Sequence, residues 1–321
     1  MRRLPQTLIA LSACAACAAL GPPAIGAPAP TTLTFTTLGT NSGPIPRKDR
    51  SEPANLLRYG GQLILADVGD GAAEQLAKAG VGVDQVQTVL ISHLHFDHTG
   101  GLFAFLSLRY QTSGANPVTI YGPPGTRETV TRLFAAMEHG GHAIQTMRLG
   151  GGPDAGVKVV EIRDGTSFNA GGVKITAVEN SHYVTLKPSV EPRPVSLSFR
   201  FDTPRRAILY TGDTGPSPKV EHACKGVDLL VSEMMDPALA IAHIKVKRPG
   251  GPPAIYDLVE DHFRREHLSP TEVGELATAC GAKTVVVTHN ALERDELNGA
   301  RKGVAAQFKG KVILAEDLQT F

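Results

Sequence analysis

Apolar residues in this chain recur in short runs and longer periodic stretches, and the two alternate. Leu33 to Leu38, Asn55 to Tyr59 and Gln62 to Ala66 are β-type runs separated by glycine, proline and charged turns. Gly71 to Lys78 reads as a short helix. Val86 to Ser92 is almost continuously apolar, as expected of a strand covered on both faces. Gly101 to Tyr110 and Gly125 to Glu138 read as helices. A second β-rich block follows in Val157 to Ile162, Val173 to Val178, Val195 to Phe201 and Ala207 to Tyr210. Asp202-Thr203-Pro204-Arg205 supplies a hairpin turn between the last two. Val227 to Val231 and Thr284 to Thr288 are again apolar strands, each preceded by a helix. Pro237 to Arg265 is less regular, with Pro249-Gly250-Gly251-Pro252-Pro253 ahead of a helix, and reads as a lid (about 235–265) inserted into the core. The pattern predicts two sheets flanked by helices.

The start of the chain has a different character. Met1-Arg2-Arg3 is basic, Leu8 to Leu20 is an apolar run of small residues, and Gly21 to Ala27 is rich in glycine, proline and alanine. This is the order of a signal peptide, 1–27, ahead of a mature domain, 28–321. The run is shorter than the roughly 20 apolar residues that a membrane span needs. A periplasmic or secreted protein is expected. Leu11-Ser12-Ala13-Cys14 also fits a lipoprotein box, which would anchor the chain through Cys14. Cys224 and Cys280 remain in the mature part. An oxidising compartment permits a bridge between them, and buried free thiols fit equally.

The 321 residues are 42% apolar, enough for a sizeable core. Net charge is +1, and losing Arg2 and Arg3 with a leader leaves 30 basic against 31 acidic residues. Such a balance offers no electrostatic footprint for a polyanion, so no nucleic-acid partner is expected.

Chemistry concentrates in His93-Leu94-His95-Phe96-Asp97-His98, directly after the buried strand. Residues two apart share a side while the chain is extended, so His93 and His95 can meet one metal. The chain then turns, and Asp97 with His98 can face a second. Thr99-Gly100-Gly101 lets the backbone turn into the next helix. Imidazole nitrogen and carboxylate oxygen bind zinc at about 2.0–2.2 Å, so such a set must converge tightly.

These residues resemble the signature of the metallo-β-lactamase superfamily. Thr37-Leu38-Gly39-Thr40, Ala66-Asp67-Val68-Gly69-Asp70-Gly71, Tyr210-Thr211-Gly212-Asp213-Thr214 and Val287-Thr288-His289 resemble its ribonuclease Z branch. The resemblance implies an α/β fold, an αββα sandwich with a short helical lid and two zinc ions at one sheet edge. Manganese or iron also suits a mixed imidazole and carboxylate set. In that frame His182 completes the first metal with His93 and His95, in preference to His139 and His142, because it follows a strand. Asp213 bridges both metals, and His289 joins Asp97 and His98 on the second. Two cations close together would activate a water and polarise the oxygen under attack. The resemblance adds His267 as general acid, oriented by Glu233, with Asp97 in the catalytic set as well. Ser269 reads as a helix cap before Pro270.

The interval from His182 to Asp213 is already filled by a predicted hairpin, which leaves no room for the protruding tRNA-gripping arm of ribonuclease Z. Length, leader, missing arm and lid resemble exported arylsulfatases of the superfamily. The expected activity is therefore hydrolysis of a small anionic ester, an aryl sulfate first. A phosphodiesterase, a β-lactamase and a non-catalytic metal-binding scaffold are the alternatives, and a homodimer is compatible with the sequence.

Overall fold

The short apolar runs do become strands, and the strands collect into two sheets. The computed structural model describes residues 32–113, 116–145, 151–247 and 250–321. The expected leader 1–27 and its Cys14 lie outside the described residues. The first sheet takes β1 (Thr34–Gly39), β2 (Ala54–Tyr59), β3 (Gln62–Val68), β4 (Thr88–Leu90), β5 (Val118–Gly122) and β6 (Val157–Glu161). The second takes β7 (Ser167–Ala170), β8 (Val173–Glu179), β9 (Leu197–Thr203), β10 (Arg206–Tyr210), β11 (Leu229–Ser232), β12 (Thr284–Val287) and β13 (Lys311–Leu314). The last strand, β14 (Gln319–Thr320), returns to pair with β1.

Each sheet changes character part-way across. β1 to β3 pair antiparallel, and β3 to β6 pair parallel. In the second sheet β7 to β10 pair antiparallel and β10 to β13 parallel. The parallel pairs need helical crossovers. These are α1 (Ala72–Lys78), α2 (Phe96–Thr99), α3 (Leu102–Ser113), α4 (Thr126–Ala136) and α5 (Glu138–Gln145) in the first half. The second half has α6 (Pro218–Ala223), α7 (Pro237–Lys247), α8 (Pro253–Glu266), α9 (Pro270–Cys280) and α10 (Leu297–Gln307).

Strand periodicity explains the four layers. Alternate residues of a strand face opposite ways. Leu57, Ile64, Ala66 and Leu90 of the first sheet meet Ile175, Phe199, Phe201, Ile208, Tyr210 and Val231 of the second in a fully buried centre. Their neighbours Leu56, Leu65 and Val89 turn outward onto Leu76 of α1, Phe105 of α3 and Val130 of α4. Leu209, Leu230, Val285 and Val287 likewise cover Val220 of α6, Val273 and Ala277 of α9, and Val304 of α10. Strands buried on both faces read as continuous apolar runs, which is why these were visible in the sequence. The result is the expected αββα sandwich. Among the described residues no helix is long and apolar enough to cross a membrane.

The span expected as a lid holds two helices, α7 and α8, that pack on one another. α7 (PALAIAHIKVK) is apolar almost throughout and gives no clear helical stripe, so its pattern reads as irregular. α8 ends at Glu266, His267 is extended, and α9 starts at once. Ser269 caps α9 as its sequence suggests: its Oγ accepts from Glu272 N, and Glu272 Oε2 accepts from Ser269 N. The strand over Val86 to Ser92 contracts to Thr88–Leu90, because the chain is already turning toward the site at Ser92. β5, β7, β13, β14, α5 and α10 are not read from the sequence; β14 is two residues held by their partner strand.

Cys224 and Cys280 form a disulfide between the ends of α6 and α9. Their separation of 56 residues makes the cross-link worth about 4 kcal/mol in loop entropy. Reduction, or the double change Cys224→Ala and Cys280→Ala, is expected to lower the unfolding free energy by about 2–4 kcal/mol. Urea midpoints with and without reductant measure this; an unchanged midpoint would refute it.

Candidate metal centre

Strand ends build the site. β4, β8, β10, β11 and β12 all finish at one edge of the sandwich, and the residues just beyond them are His93, His182, Asp213, Glu233 and His289. The short helix α2 adds Asp97 and His98, with His95 just ahead of it. Gly212 is needed for this convergence: its φ is +55°, and a Cβ there would meet Ser92 Cβ at 2.9 Å. At Gly43 a Cβ would overlap the Asp97 side chain, while the bare backbone N–H donates to Asp97 Oδ2 at 3.1 Å.

Every metal-ligand candidate named from the sequence is brought into one cluster. Donor atoms of His93, His95 and His182 lie within 4.8 Å of one another, as do those of Asp97, His98 and His289. His182 Nε2 is 3.2 Å from His95 Nδ1. Asp213 stands between the two sets. Its Oδ1 is 3.3 Å from both His98 Nε2 and His289 Nε2, and its Oδ2 is 3.9 Å from both His93 Nε2 and His182 Nε2. Asp97 Oδ2 lies 3.6 Å from His98 Nε2 and 3.4 Å from His289 Nε2. Donors about 2.0–2.2 Å from one tetrahedral cation are separated by roughly 3.3–3.6 Å, so the spacing suits metal. His139 and His142 sit exposed on α5 and join no such group among the described residues.

The donor atoms also pass a chemical test. His93 Nε2, His98 Nε2 and Asp213 Oδ1 are buried without a hydrogen-bond partner among the described residues. Leaving such groups unmade costs about 1–3 kcal/mol each, and more when charged. A divalent cation satisfies them together, and zinc suits the nitrogen and oxygen donors. His95 stays exposed, so the cluster is open to solvent on its side.

A second tier fixes the rings. Asp67, buried and at φ 60°, accepts from His98 Nδ1 at 2.9 Å, Ser92 N at 2.7 Å, Ser92 Oγ at 2.9 Å and Tyr210 OH at 2.7 Å. Ser92 Oγ also reaches His93 Nδ1 at 3.1 Å. His182 Nδ1 donates to the Glu266 carbonyl at 3.0 Å. Such partners orient an imidazole and raise its basicity. Asp67 belongs to the Ala66 to Gly71 motif, but a lone Asp near the end of a strand carries no signal of this role.

Charge is balanced by protons when no cation is bound. Burial opposes a charge on His98, yet Asp213, Asp97 and Asp67 outweigh it and hold the imidazole well above its usual range. Burial also opposes charge on His289, and Asp213 and Asp97 reverse it. Asp213 is buried too, but His289 and His98 hold its carboxyl well below the usual range. His93 and His182 go the other way: burial pushes His93 well down and His182 to about 3.

His267 and Glu233 meet beside this cluster. His267 Nδ1 is 3.1 Å from Glu233 Oε2, and Glu233 Oε1 accepts from Leu268 N at 3.0 Å and Thr214 N at 3.3 Å. Burial would push His267 down, but the Glu233 carboxylate more than reverses this and lifts it to about 9. His267 also comes within 4.8 Å of the His182 and Asp213 donor atoms. With Nδ1 held by Glu233, Nε2 is the atom left for chemistry. A cavity of about 760 Å³ opens alongside, lined by residues 41–49, by Met235 and Ile244 next to and on α7, and by Phe263 of α8.

Comparison with known proteins agrees with this geometry. The family described as "Beta-lactamase superfamily domain" matches residues 63–290. The chain is similar to ribonuclease Z of Mycobacterium avium, 33% identical over 294 residues, covering 89% of this chain and 96% of the relative. Ribonuclease Z of Mycobacterium marinum is 30% identical, covering 89% and 97%. Among solved structures, the metallo-β-lactamase fold protein YhfI from Bacillus subtilis superposes with a TM-score of 0.64 at 18% identity, over 90% of this chain and 99% of that one. The short form of human tRNase Z does so at 0.61 and 22%, over 90% and 98%. These last two speak for the fold alone. The relatives' names overturn the expectation that nucleic acid is excluded as a partner. Net charge is an average over the chain, and it does not report what a local site attracts.

Two outcomes follow. His98 and His289 must give up protons to bind a cation, so apparent metal affinity rises with pH and binding releases protons. Calorimetry in buffers of different ionisation enthalpy counts them, and zero release would contradict this charge balance. Asp67→Asn is expected to weaken metal binding about 10–100-fold in chelator competition while the fold persists.

Proposed function

The chain belongs to the metallo-β-lactamase superfamily, with ribonuclease Z homologues along nearly its whole length, and on that premise we propose that this metal-dependent hydrolase is a phosphodiesterase of the ribonuclease Z kind, acting on RNA. The observation that carries the reading is the buried His267–Glu233 pair set against the ligand cluster. We assign two divalent cations, zinc first. His93, His95 and His182 would hold one, Asp97, His98 and His289 the other, and Asp213, between the two sets, would contribute to both. When bound, the cations lower the pKa of water and polarise the ester oxygen under attack.

The chain's own groups handle the protons. Asp97 is kept ionised against its burial by His98 and His289, and its Oδ2 is fixed by the Gly43 N–H. It accepts a proton from the attacking water. His267, protonated because Glu233 faces its Nδ1, donates to the leaving oxygen. Glu233 keeps the ring in place through its bonds from Leu268 and Thr214. The aryl sulfate reading rests on family resemblance in lid and leader, whereas the relatives along the chain carry the name ribonuclease Z. That difference favours the phosphodiester. Export remains part of the proposal: the pattern of residues 1–27 suggests it, and the Cys224–Cys280 bridge is supporting evidence, since such bonds persist in oxidising compartments.

Hydrolysis of an RNA oligonucleotide, bis(p-nitrophenyl) phosphate, p-nitrophenyl sulfate and a chromogenic cephalosporin by the zinc-loaded protein tests the reading. Phosphodiester turnover should dominate; faster sulfate or cephalosporin turnover would sink it. His267→Ala should cut kcat on RNA about 10²–10⁴-fold with metal content unchanged. Its effect on the nitrophenyl ester should be smaller, because nitrophenolate leaves without a proton. Rate on RNA should fall as pH rises through the His267 pKa, which bound cations push below about 9, and that limb should vanish in the variant.

A further inference from the structure

α8 brings a second imidazole–carboxylate pair to the same opening, and nothing in the proposed chemistry uses it. His262 and Glu266 are one turn apart on this helix, with His262 Nδ1 2.8 Å from Glu266 Oε2. The His262 side chain is 37% exposed, in contrast to the buried His267. Its ring centroid is 5.6 Å from that of His267 and 6.3 Å from that of His182. It also lies near enough to His95 to oppose a charge there. With Nδ1 spent on Glu266, Nε2 has no hydrogen-bond partner among the described residues. The adjacent Phe263 packs edge-on to His267 at 6.1 Å and lines the large cavity.

Glu266 is itself held from three sides. Its Oε1 accepts from Thr185 N at 2.7 Å and from Thr185 Oγ1, and its carbonyl accepts from His182 Nδ1. The carboxylate therefore fixes His262 relative to the loop that carries His182. A ring oriented this firmly, open to solvent and beside a cluster of imidazoles, is built to meet a ligand rather than to close the helix end. An i,i+4 pair serving only the helix needs no such tie to another loop.

Resting on the phosphodiesterase reading, we infer that His262 is a substrate-binding residue: as an imidazolium, with its Nδ1–H on the Glu266 carboxylate, its Nε2–H donates to a non-bridging oxygen of the phosphodiester while Glu266 positions the ring. His267 acts on the leaving oxygen and His262 on the anion, so the two histidines should separate kinetically. An interaction made equally in ground and transition states shows in KM and leaves kcat alone.

The test is steady-state kinetics of the zinc-loaded chain on bis(p-nitrophenyl) phosphate, with calorimetric binding of inorganic phosphate alongside. His262→Ala should raise KM about tenfold and weaken phosphate binding to a similar degree. Its kcat should stay within about threefold and its metal content should not change. His262→Gln, which keeps an N–H donor at similar reach, should recover most of the loss. Unchanged KM and unchanged phosphate affinity in His262→Ala would overturn the inference, as would loss of metal or failure of the glutamine to rescue. If the unsubstituted chain shows no phosphodiester turnover, the functional reading fails by itself. The phosphate calorimetry then still decides on His262, by whether affinity falls in the variant.

Discussion

Asp213 sits almost wholly buried with one carboxylate oxygen facing His98 and His289 and the other facing His93 and His182. Protons alone leave part of this cluster unsatisfied. His98, His289 and Asp213 can pair as ions, but His93 Nε2 still lacks a hydrogen-bond partner among the described residues. A cation removes the conflict, because it accepts lone pairs from imidazole and carboxylate together. The surrounding structure holds these donors in place before any metal arrives. Positive φ values at Asp67 (60°), His289 (42°) and Gly212 (55°) mark where the backbone is bent to do so. For the two non-glycine residues such a bend costs on the order of 1–3 kcal/mol, and a rigid scaffold must supply it.

That scaffold is the pair of sheets. Their strands end at one edge, and the central apolar layer between Phe35, Phe199, Phe201 and Tyr210 fixes how far apart those ends lie. Tyr210 joins the two tasks: its ring belongs to the core, and its hydroxyl donates to Asp67, which in turn orients His98. A buried tyrosine needs such a partner, so core packing and ligand geometry are coupled through one residue. The disulfide at the far ends of α6 and α9 steadies the second sheet's helical layer by a separate route.

Function is divided along the opening. The exposed His95 side admits solvent, His267 and Glu233 stand buried at the flank, and α7 with α8 form a wall that carries Phe263 and His262 to the rim. The two helices are therefore part of the site's lining. The neutral overall charge, read from the sequence as a case against nucleic acid, misleads for a physical reason. Formal charge counts side chains, and a centre able to hold divalent cations contributes positive charge that no residue count includes.

Much of this was legible in the sequence. Runs buried on both faces announced β4, β11 and β12, though not β5 or β13, and the crowding of His93, His95, Asp97 and His98 after β4 pointed to a metal site. Short-range spacing sufficed there because those donors are neighbours in the chain. The Ser269 cap was legible for the same reason. His182, Asp213 and His289 came only through resemblance, since a single histidine or aspartate at a strand end has no local signal. The roles of Asp67, Tyr210, Glu266 and His262 were not legible at all. Each depends on a partner at least one helical turn, and mostly many residues, away. Whether Cys224 and Cys280 are bridged was likewise open until the ends of two helices were seen to meet. Sequence determined most of the elements and where the first candidate ligands lie, because those follow from local pattern. Tertiary structure decided which distant side chains share an ion, a proton or a bond, because that depends on how the two sheets bring their ends to one edge.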